Sequence, residues 1–458
     1  MNLWTIANRY CLSRPLVTLL TVLGVALGAA LISSVLTLRR ETESTFIEQS
    51  SDFDLVVGAK GSPLQLVLSS LYHLDVPTGN IGYPQLERLR ADSRVTAAVP
   101  FGLGDNLQGF RIVGTDLSLF DVQRRLREGD PVAIFHLAEG ELFSGNFEAV
   151  LGAQVARETG LGIGDQFAGT HGLISIAGSE THDDFPYTVT GILEPSGTSH
   201  DRAIFTTIES VWGVHDAEAA IHAAMFGGST RKPAPEPEPE AEAGDDEDVE
   251  VPSFLMNIYA NSGDDEDEPE SDSPYADREV TAVLVQLKTP GLRLFMSSEI
   301  NTKTDAMAAV PIMEMQRLYL RVLGPMQTTL LAVAYVVVVV AALTILTTLY
   351  QAAERRRRDI AVMRALGARR WEIFVLVLLE AAIVTLFGIG IGWLLGHGGV
   401  AIAADAFQGS TGLAISAWSV DAVELRALGV VALCGVIAGL VPALLTYRRS
   451  PVRDLAAV

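Results

Sequence analysis

Four long apolar stretches dominate the pattern of hydrophobic and polar positions along the chain. A helix needs about 20 consecutive apolar residues to cross a hydrocarbon core about 30 Å thick. Because water is absent from that core, each backbone amide and carbonyl must bond within its own segment, which favours helices. In the first stretch, Gly24 and Gly28 are spaced as a helix-packing face. The pattern predicts four transmembrane helices, at residues 16–38, 327–350, 373–396 and 427–447.

Arginines flank these stretches unevenly. Arg9 and Arg14 precede the first stretch, residues 355–358 between the second and third are all arginine, and Arg448 and Arg449 follow the fourth. Basic residues are retained on the cytoplasmic side of a membrane. We therefore expect both termini to be cytoplasmic. The cytoplasmic segments are then a pre-helix at 1–15, a connection at 351–372 and a tail at 448–458, whereas a short loop at 397–426 lies outside.

The segment at 39–326 is long enough to form a domain with its own core. Runs of β-branched and apolar residues alternate in it with turn signals, and helical patterns lie between them. The predicted strands are Phe53–Val57, Phe110–Val113, Tyr187–Ile192, Ala203–Thr207 and Val280–Leu287, and the predicted helices are Ala153–Thr159 and Pro311–Leu323. The fold class is therefore an α-helical membrane protein with four transmembrane helices and a large α+β domain inserted between the first and second.

An acidic segment at 228–278 interrupts this domain. Within 231–279 there are 18 acidic residues against three basic ones, and proline alternates with glutamate. Such a sequence buries too little apolar surface to offset the entropy of ordering it, so we expect a disordered insertion. Its carboxylates could collect divalent cations loosely, since these ions prefer oxygen ligands. A solvated low-complexity insertion without that role is the favoured interpretation.

Motifs for enzyme chemistry are absent from the sequence. No Gly-x-x-x-x-Gly-Lys-Ser/Thr string for phosphate binding occurs, nor a His-Glu-x-x-His or Gly-x-Ser-x-Gly string. Histidines and aspartates do occur in the inserted segment, but none has the spacing of a metal site, which favours scattered loop residues. These residues are His171, His182, Asp183, Asp184, His200 and Asp201.

Glu380 is a carboxylate within the third apolar stretch. A charged group in a lipid span is costly and normally faces the interior of a helix bundle. A structural role, in which Glu380 bonds a neighbouring helix or reaches toward the cytoplasmic arginines, is favoured over a role in substrate or proton handling.

A short amphipathic helix is predicted between the second and third stretches. Ile360, Met363 and Leu366 recur there at helical spacing, and Gly367 provides a stop. Two interpretations are open for this apolar face. The helix could rest on anionic lipid headgroups, or it could dock in a cleft of an ATPase subunit.

Two parts of the sequence resemble a known family. The string ERRRRDIAVMRALGARRWEIFVLVLLEAAIVTLFGIGIGWLLG is similar to the FtsX-like permease domain. The strings VLGAQVARETGLGIGD and YTVTGILEPSGTSHDRAIFTTIESVW resemble the MacB-type periplasmic core domain. Apart from the acidic insertion, the resemblance to this MacB/FtsX (LolC/E-like) superfamily of ABC transporter permeases covers essentially the whole chain.

The resemblance implies a permease subunit of the bacterial inner membrane that is not an enzyme and binds no cofactor itself. ATP and Mg²⁺ would be bound by a cytoplasmic ABC ATPase partner. The other implied partners are a second permease copy in a homodimer, membrane lipids and a periplasmic or outer-membrane protein, but no nucleic acid. Residues matching the family's ATPase-coupling helix are Asp359, Ile360, Met363, Arg364, Leu366, Gly367 and Ala368, and Glu380 matches its intramembrane acid.

The resemblance further implies mechanotransmission, in which ATP-driven closure moves the outer domains. The implied cargo is a lipoprotein, a peptide, an amphiphile or a metal-linked molecule that is exported or extracted. The alternative is an FtsX-like signalling scaffold that activates a periplasmic hydrolase.

Overall fold

Four helices of the computed structural model are long and apolar enough to cross a membrane, in agreement with the sequence. The structure describes residues 3–125, 130–172, 185–216, 274–412 and 414–448, so nearly all of the acidic insertion lies outside the described residues. The helices of the membrane region are a pre-helix (Leu3–Leu12), membrane helix 1 (Pro15–Ser50), membrane helix 2 (Gly324–Arg355), a linker helix (Arg357–Ala365), membrane helix 3 (Arg370–Thr411) and membrane helix 4 (Ala422–Arg448).

Two of these helices are much longer than the apolar stretches within them. Membrane helix 3 has 42 residues and continues to Thr411, and membrane helix 4 begins at Ala422, so the predicted loop at 397–426 is helical over 397–411 and 422–426. At 1.5 Å per residue this helix is about 63 Å long, twice the thickness of a hydrocarbon core. Membrane helix 1 likewise continues to Ser50, although the sequence placed the inserted domain from residue 39. The apolar stretches end near residues 38 and 396, whereas both helices continue in less apolar sequence.

Small residues let membrane helix 1 pack closely between two others. A Cβ added at Gly28 would lie 2.9 Å from Val338 Cγ2 of membrane helix 2, which agrees with the predicted packing face. A Cβ added at Gly392 of membrane helix 3 would lie 2.4 Å from the carbonyl oxygen of Ala26. Membrane helix 1 therefore packs against both membrane helices 2 and 3. A side chain at Gly28 would displace the Val338 side chain, and one at Gly392 would separate the two backbones.

The inserted domain contains all five predicted strand regions and the predicted helix at Ala153–Thr159. Its strands are β1 (Leu55–Ala59), β2 (Ile81–Gly82), β3 (Val95–Leu107), β4 (Phe110–Thr115), β5 (Gln123–Arg124), β6 (Val132–Ala133), β7 (Leu137–Gly140), β8 (Glu148–Leu151), β9 (Gln166–Phe167), β10 (Thr170–His171), β11 (Tyr187–Leu193), β12 (Ala203–Thr207), β13 (Glu279–Val280), β14 (Ala282–Leu287) and β15 (Ala306–Ala309). Its helices are α1 (Pro63–Leu71), α2 (Tyr83–Ala91), α3 (Ala153–Thr159), α4 (Arg293–Lys303) and α5 (Pro311–Leu318), and residues 208–216 are also helical. The predicted helix at Pro311–Leu323 divides into α5 and a π-helical turn at Tyr319–Leu323, which leads into membrane helix 2.

One mixed sheet organises the inserted domain, with the strand order β15-β1-β14-β3-β4-β12-β8-β11-β7. The long strand β3 pairs with β14 along its first half and with β4 along its second, which joins the two halves of the sheet. Successive residues of β1 point to opposite faces. Val56 packs into one apolar core, and Leu55 and Val57 pack into another. Both faces of β1 are thus covered, which explains its uninterrupted apolar sequence.

Two buried histidines lie side by side in this domain. His73 Nε2 is 3.1 Å from His200 Nδ1, and His200, which lies in a short turn at Ser199–Arg202, is 1% exposed. Burial, assisted by the positive charge of Arg124, lowers the pKa of His200 to about 3. Burial and the neighbouring His200 ring lower the pKa of His73 as well. Among the described residues, no group of three or more histidine, cysteine or acidic side chains is arranged to hold a metal ion.

We expect the inserted domain to lose stability between pH 7 and pH 5. An unfolded chain binds a proton at His200 below a pH of about 6.5, but the folded domain excludes that proton down to a pH of about 3. The stabilisation by neutral His200 is therefore complete above about pH 6.5 and is lost as the pH falls toward 3. At pH 5 the loss from His200 alone is about 2 kcal/mol.

Urea unfolding of the detergent-solubilised protein at the two pH values, followed by protease resistance of the inserted domain, measures this loss. Carboxylates also titrate, so the wild type is compared with His200→Phe, which keeps an aromatic ring beside Phe135 and Phe205. We expect a smaller pH dependence in the variant. Equal pH dependence in the two proteins would contradict the assignment.

Candidate functional site at the base of the membrane helices

The linker helix is fastened at both ends. It follows Arg356, where the backbone (φ −97°, ψ 15°) departs from the helical conformation of membrane helix 2. It ends at Gly367 with a φ of +104°. The Gly367 amide donates to the Arg364 carbonyl and the Ala368 amide to the Met363 carbonyl, a Schellman cap that favours glycine. Glu372 then accepts a bond from the Arg369 amide at 2.8 Å and begins membrane helix 3. The linker helix and membrane helix 3 are thus joined by a short ordered turn.

The linker helix does not present the single apolar face that the spacing predicted. Met363 packs against a cluster that includes Ala7, Cys11 and Leu376, and Ile360 is half-buried. Leu366, in contrast, is 84% exposed. The three residues therefore do not form one free face, because Ile360 and Met363 are half-buried and Leu366 is open.

A different face of the linker helix is free. Arg358, Val362 and Leu366 follow one another at four-residue intervals and are exposed, Val362 to 45%. Asp359 is exposed beside them, in the first turn, where a carboxylate stabilises the helix dipole. Arg364 and Ala368 are half-buried, and Gly367 is exposed at the turn. The exposed face thus consists of Arg358, Asp359, Val362 and Leu366.

Glu380 bonds a neighbouring helix end, as the structural interpretation of this residue predicted. Its Oε2 lies 3.4 Å from Nη1 of Arg356, and both side chains are about nine-tenths buried. The Arg356 guanidinium also stacks 3.8 Å above the centroid of the Tyr10 ring in the pre-helix. One arginine therefore joins the pre-helix, the end of membrane helix 2 and membrane helix 3. The sequence did not indicate which of the four arginines would turn inward.

We expect Glu380→Ala to lower the free energy of unfolding of the membrane bundle by about 2 kcal/mol, because it leaves the buried Arg356 guanidinium without its anion. The matched control is Glu354→Ala, since Glu354 pairs with Arg357 at 2.8 Å where both side chains are well exposed. Such an exposed pair contributes less than about 1 kcal/mol. Unfolding by sodium dodecyl sulfate in mixed micelles measures both variants. Equal effects of the two changes would contradict the buried role of Glu380.

Further buried polar groups lie at the opposite end of the bundle. His397, which the sequence placed in a loop, lies within membrane helix 3 and has no exposed surface. Its Nε2 is 2.8 Å from Glu424 Oε1 of membrane helix 4, and its Nδ1 is 2.5 Å from the Ala417 carbonyl oxygen. Because a carbonyl only accepts, Nδ1 donates to it, and Nε2 faces the Glu424 carboxylate.

The connection between membrane helices 3 and 4 is also bound to membrane helix 1. Glu41 Oε2 accepts a bond from the Ser416 amide at 2.9 Å, and Glu41 Oε1 accepts from Ser419 Oγ at 2.6 Å. The predicted domain boundary at residue 39 gave Glu41 no such role. Alternation and hydropathy carry no signal for these bonds, since they join residues that are distant in sequence.

Two family models match this chain, one over the first membrane helix and much of the inserted domain and the other over the C-terminal membrane helices. Residues 18–266 match the family model of the MacB-like periplasmic core domain, and residues 331–451 match that of the FtsX-like permease C-terminal region. No curated protein matches the chain.

Among solved structures, the chain is similar to the extracellular domain of the noncanonic ABC-type transporter YknZ from Gram-positive bacteria. The identity is 10%, the TM-score is 0.26, and the match covers 56% of this chain and 98% of that one. It is also similar to the periplasmic region of MacB from Actinobacillus actinomycetemcomitans, with 9% identity, a TM-score of 0.30, and coverage of 60% and 97% respectively.

Proposed function

This chain belongs to the family of ABC transporter permeases that combine a MacB-like periplasmic core domain with an FtsX-like permease domain. From that premise we propose that it couples ATP hydrolysis by a separate subunit to movement of its inserted domain. The movement exports or extracts a cargo on the far side of the membrane. ATP and Mg²⁺ are bound by the ATPase, and this chain contributes the surface that receives the motion.

The exposed face of the linker helix is the observation that carries this proposal. Val362, on the nine-residue linker helix, and Leu366, the residue that caps its C-terminal end, are exposed apolar side chains beside the charged Arg358 and Asp359. Apolar anchors of this kind, surrounded by charges, are typical of the centre of a protein–protein interface. The same helix is capped directly onto membrane helix 3, so a force on this face is transmitted into the membrane.

Co-expression with a cytoplasmic ABC ATPase of this family tests the proposal. We expect the two proteins to purify together and the ATPase rate to depend on the presence of the permease. A second permease copy completes the assembly, because each ATPase of a closing pair needs a linker helix to act on. An ATPase that neither binds the permease nor responds to it would overturn the proposal.

The same proposal sets the topology, with both termini and the linker helix in the cytoplasm of a bacterium and the inserted domain outside its inner membrane. In a Cys11→Ala, Cys434→Ala background, we expect the exposed position Lys60→Cys to react with a membrane-impermeant maleimide on intact cells. Arg358→Cys should react only after the cells are permeabilised. The reverse pattern would show that the orientation is inverted.

A further inference from the structure

The far end of membrane helix 3 is docked on the inserted domain. The Arg202 guanidinium and Gln154 Nε2 both donate to the Gly409 carbonyl, Gln154 at 3.0 Å. The last carbonyls of a helix have no partner within the helix and carry its negative dipole end, which a cationic guanidinium stabilises. Just beyond the helix end, the Ala414 amide donates to the Gly197 carbonyl at 3.1 Å. Side chains and backbone of the inserted domain thus complete this helix end.

Residues 196–202, which supply Arg202 and the Gly197 carbonyl to these bonds, also hold the far end of membrane helix 1. Gln49, the penultimate residue of that helix, is 1% exposed. Its Nε2 donates to Ser199 Oγ and, at 2.9 Å, to the Leu71 carbonyl. Ser199 Oγ donates to the same Leu71 carbonyl at 2.8 Å. The two helix ends are therefore bound a few residues apart on one short segment.

Internal bonds and burial hold the segment in a single conformation. Asp201 accepts from the amides of Ser196 and Gly197, both at 2.9 Å. Thr198, Ser199 and His200 are buried. The segment leads without a gap into β12 at Ala203, and β12 lies between β4 and β8 inside the sheet. A displacement of this segment is consequently a displacement of the sheet.

We propose that residues 196–202 act as a clamp that fastens the sheet of the inserted domain to membrane helices 1 and 3 together, so that movement of helix 3 relative to helix 1 is imposed on the domain. The inference rests on the proposed function and deepens it. Membrane helix 3 is continuous from Arg370 to Thr411, with the linker helix at one end and the clamp at the other. Arg202 and Gln154 are the positioning residues of this path.

The test uses the full permease in complex with its ATPase, with and without trapped ATP. Arg202→Ala combined with Gln154→Leu removes both side-chain donors to the Gly409 carbonyl. The control is Lys60→Ala, which removes one positive charge at an exposed position. Arg202→Lys combined with wild-type Gln154 retains a cationic donor. Amide hydrogen exchange is followed in three segments: residues 196–202, β12, and residues 400–411 of membrane helix 3.

In the wild type, the control and Arg202→Lys, we expect trapped ATP to change exchange in all three segments. In the double variant, residues 400–411 should still respond, whereas the response of residues 196–202 and β12 falls at least about threefold. An undiminished response of β12 in the double variant would overturn the clamp and leave the proposed function standing. A wild-type complex in which no segment responds would overturn both.

Loss of the response could also follow from a damaged domain, so a cross-link provides a second measurement. A Cβ added at Gly197, where φ is +68°, would lie 3.2 Å from Ala414 Cβ, so a disulfide with its usual Cβ separation of about 3.8 Å requires a shift of only a few tenths of an ångström. Gly197→Cys and Ala414→Cys are therefore added to the double variant in a background carrying Cys11→Ala and Cys434→Ala. Oxidation should restore the β12 response, and reduction should abolish it again. A response that stays absent after the cross-link has formed would contradict the clamp.

Discussion

Leu366→Asp is expected to weaken binding of the ATPase to this permease by at least about 100-fold. Leu366, the C-terminal cap residue of the linker helix, is 84% exposed. When Leu366 is buried in the interface with the ATPase, an aspartate at this position places an unpaired carboxylate there, which costs several kcal/mol of binding free energy. A loss of about 3 kcal/mol already raises the dissociation constant about 100-fold. The free permease should fold normally because Leu366 contacts solvent. Co-purification and permease-dependent ATP hydrolysis measure the effect.

Two controls separate this loss from other causes. Leu117→Asp makes the same chemical change at an exposed position of the inserted domain and should leave the complex intact. Replacing Arg355, Arg357 and Arg358 by glutamine tests the lipid interpretation, in which each basic residue contributes about 1 kcal/mol of headgroup attraction. Arg356 is kept because it pairs with Glu380. Full assembly and ATPase stimulation in Leu366→Asp would refute the docking role of the linker helix.

Gly392→Leu is expected to prevent formation of a stable membrane bundle. A Cβ at Gly392 would lie 2.4 Å from the Ala26 carbonyl oxygen and 2.7 Å from Ala29 Cβ, and these are parts of membrane helix 1 that cannot turn aside. Separating the two backbones removes contacts along a packed interface, and overpacking of this kind costs about 3 kcal/mol or more. The yield of folded protein in detergent and its unfolding in mixed micelles measure the loss.

The same helix provides the matched control. An added Cβ at Gly390 meets no atom within 4 Å, so Gly390→Leu makes an equal change in size and hydrophobicity on a free face of membrane helix 3. We expect this variant to fold as the wild type does. If both leucines were equally harmful, or both harmless, the close packing of membrane helices 1 and 3 would be wrong.

Much of the architecture could be predicted from the sequence. The bilayer requires long apolar helices, so the four membrane helices follow from composition over a short window. The strands β1, β4, β11, β12 and β14 follow from runs of β-branched residues bounded by turns. The linker helix follows from its spacing and from Gly367, whose φ of +104° suits a residue without a Cβ. Each of these features depends on residues that are close together in the sequence, so the local pattern of residues is sufficient to predict it.

The tertiary structure alone decided which side chains are buried and which partner each one meets. Periodicity placed Ile360, Met363 and Leu366 on one apolar face. In the structure Ile360 and Met363 are half-buried, Met363 against the pre-helix and membrane helix 3, and Leu366 is open. Glu380 had several arginines within reach and pairs with Arg356. His397, Glu41 and Gln49 lay outside the apolar stretches or at their limits, yet each bonds a residue from another part of the chain. Such contacts depend on how the helices and the sheet pack in three dimensions, and the local sequence does not show which distant residues come together.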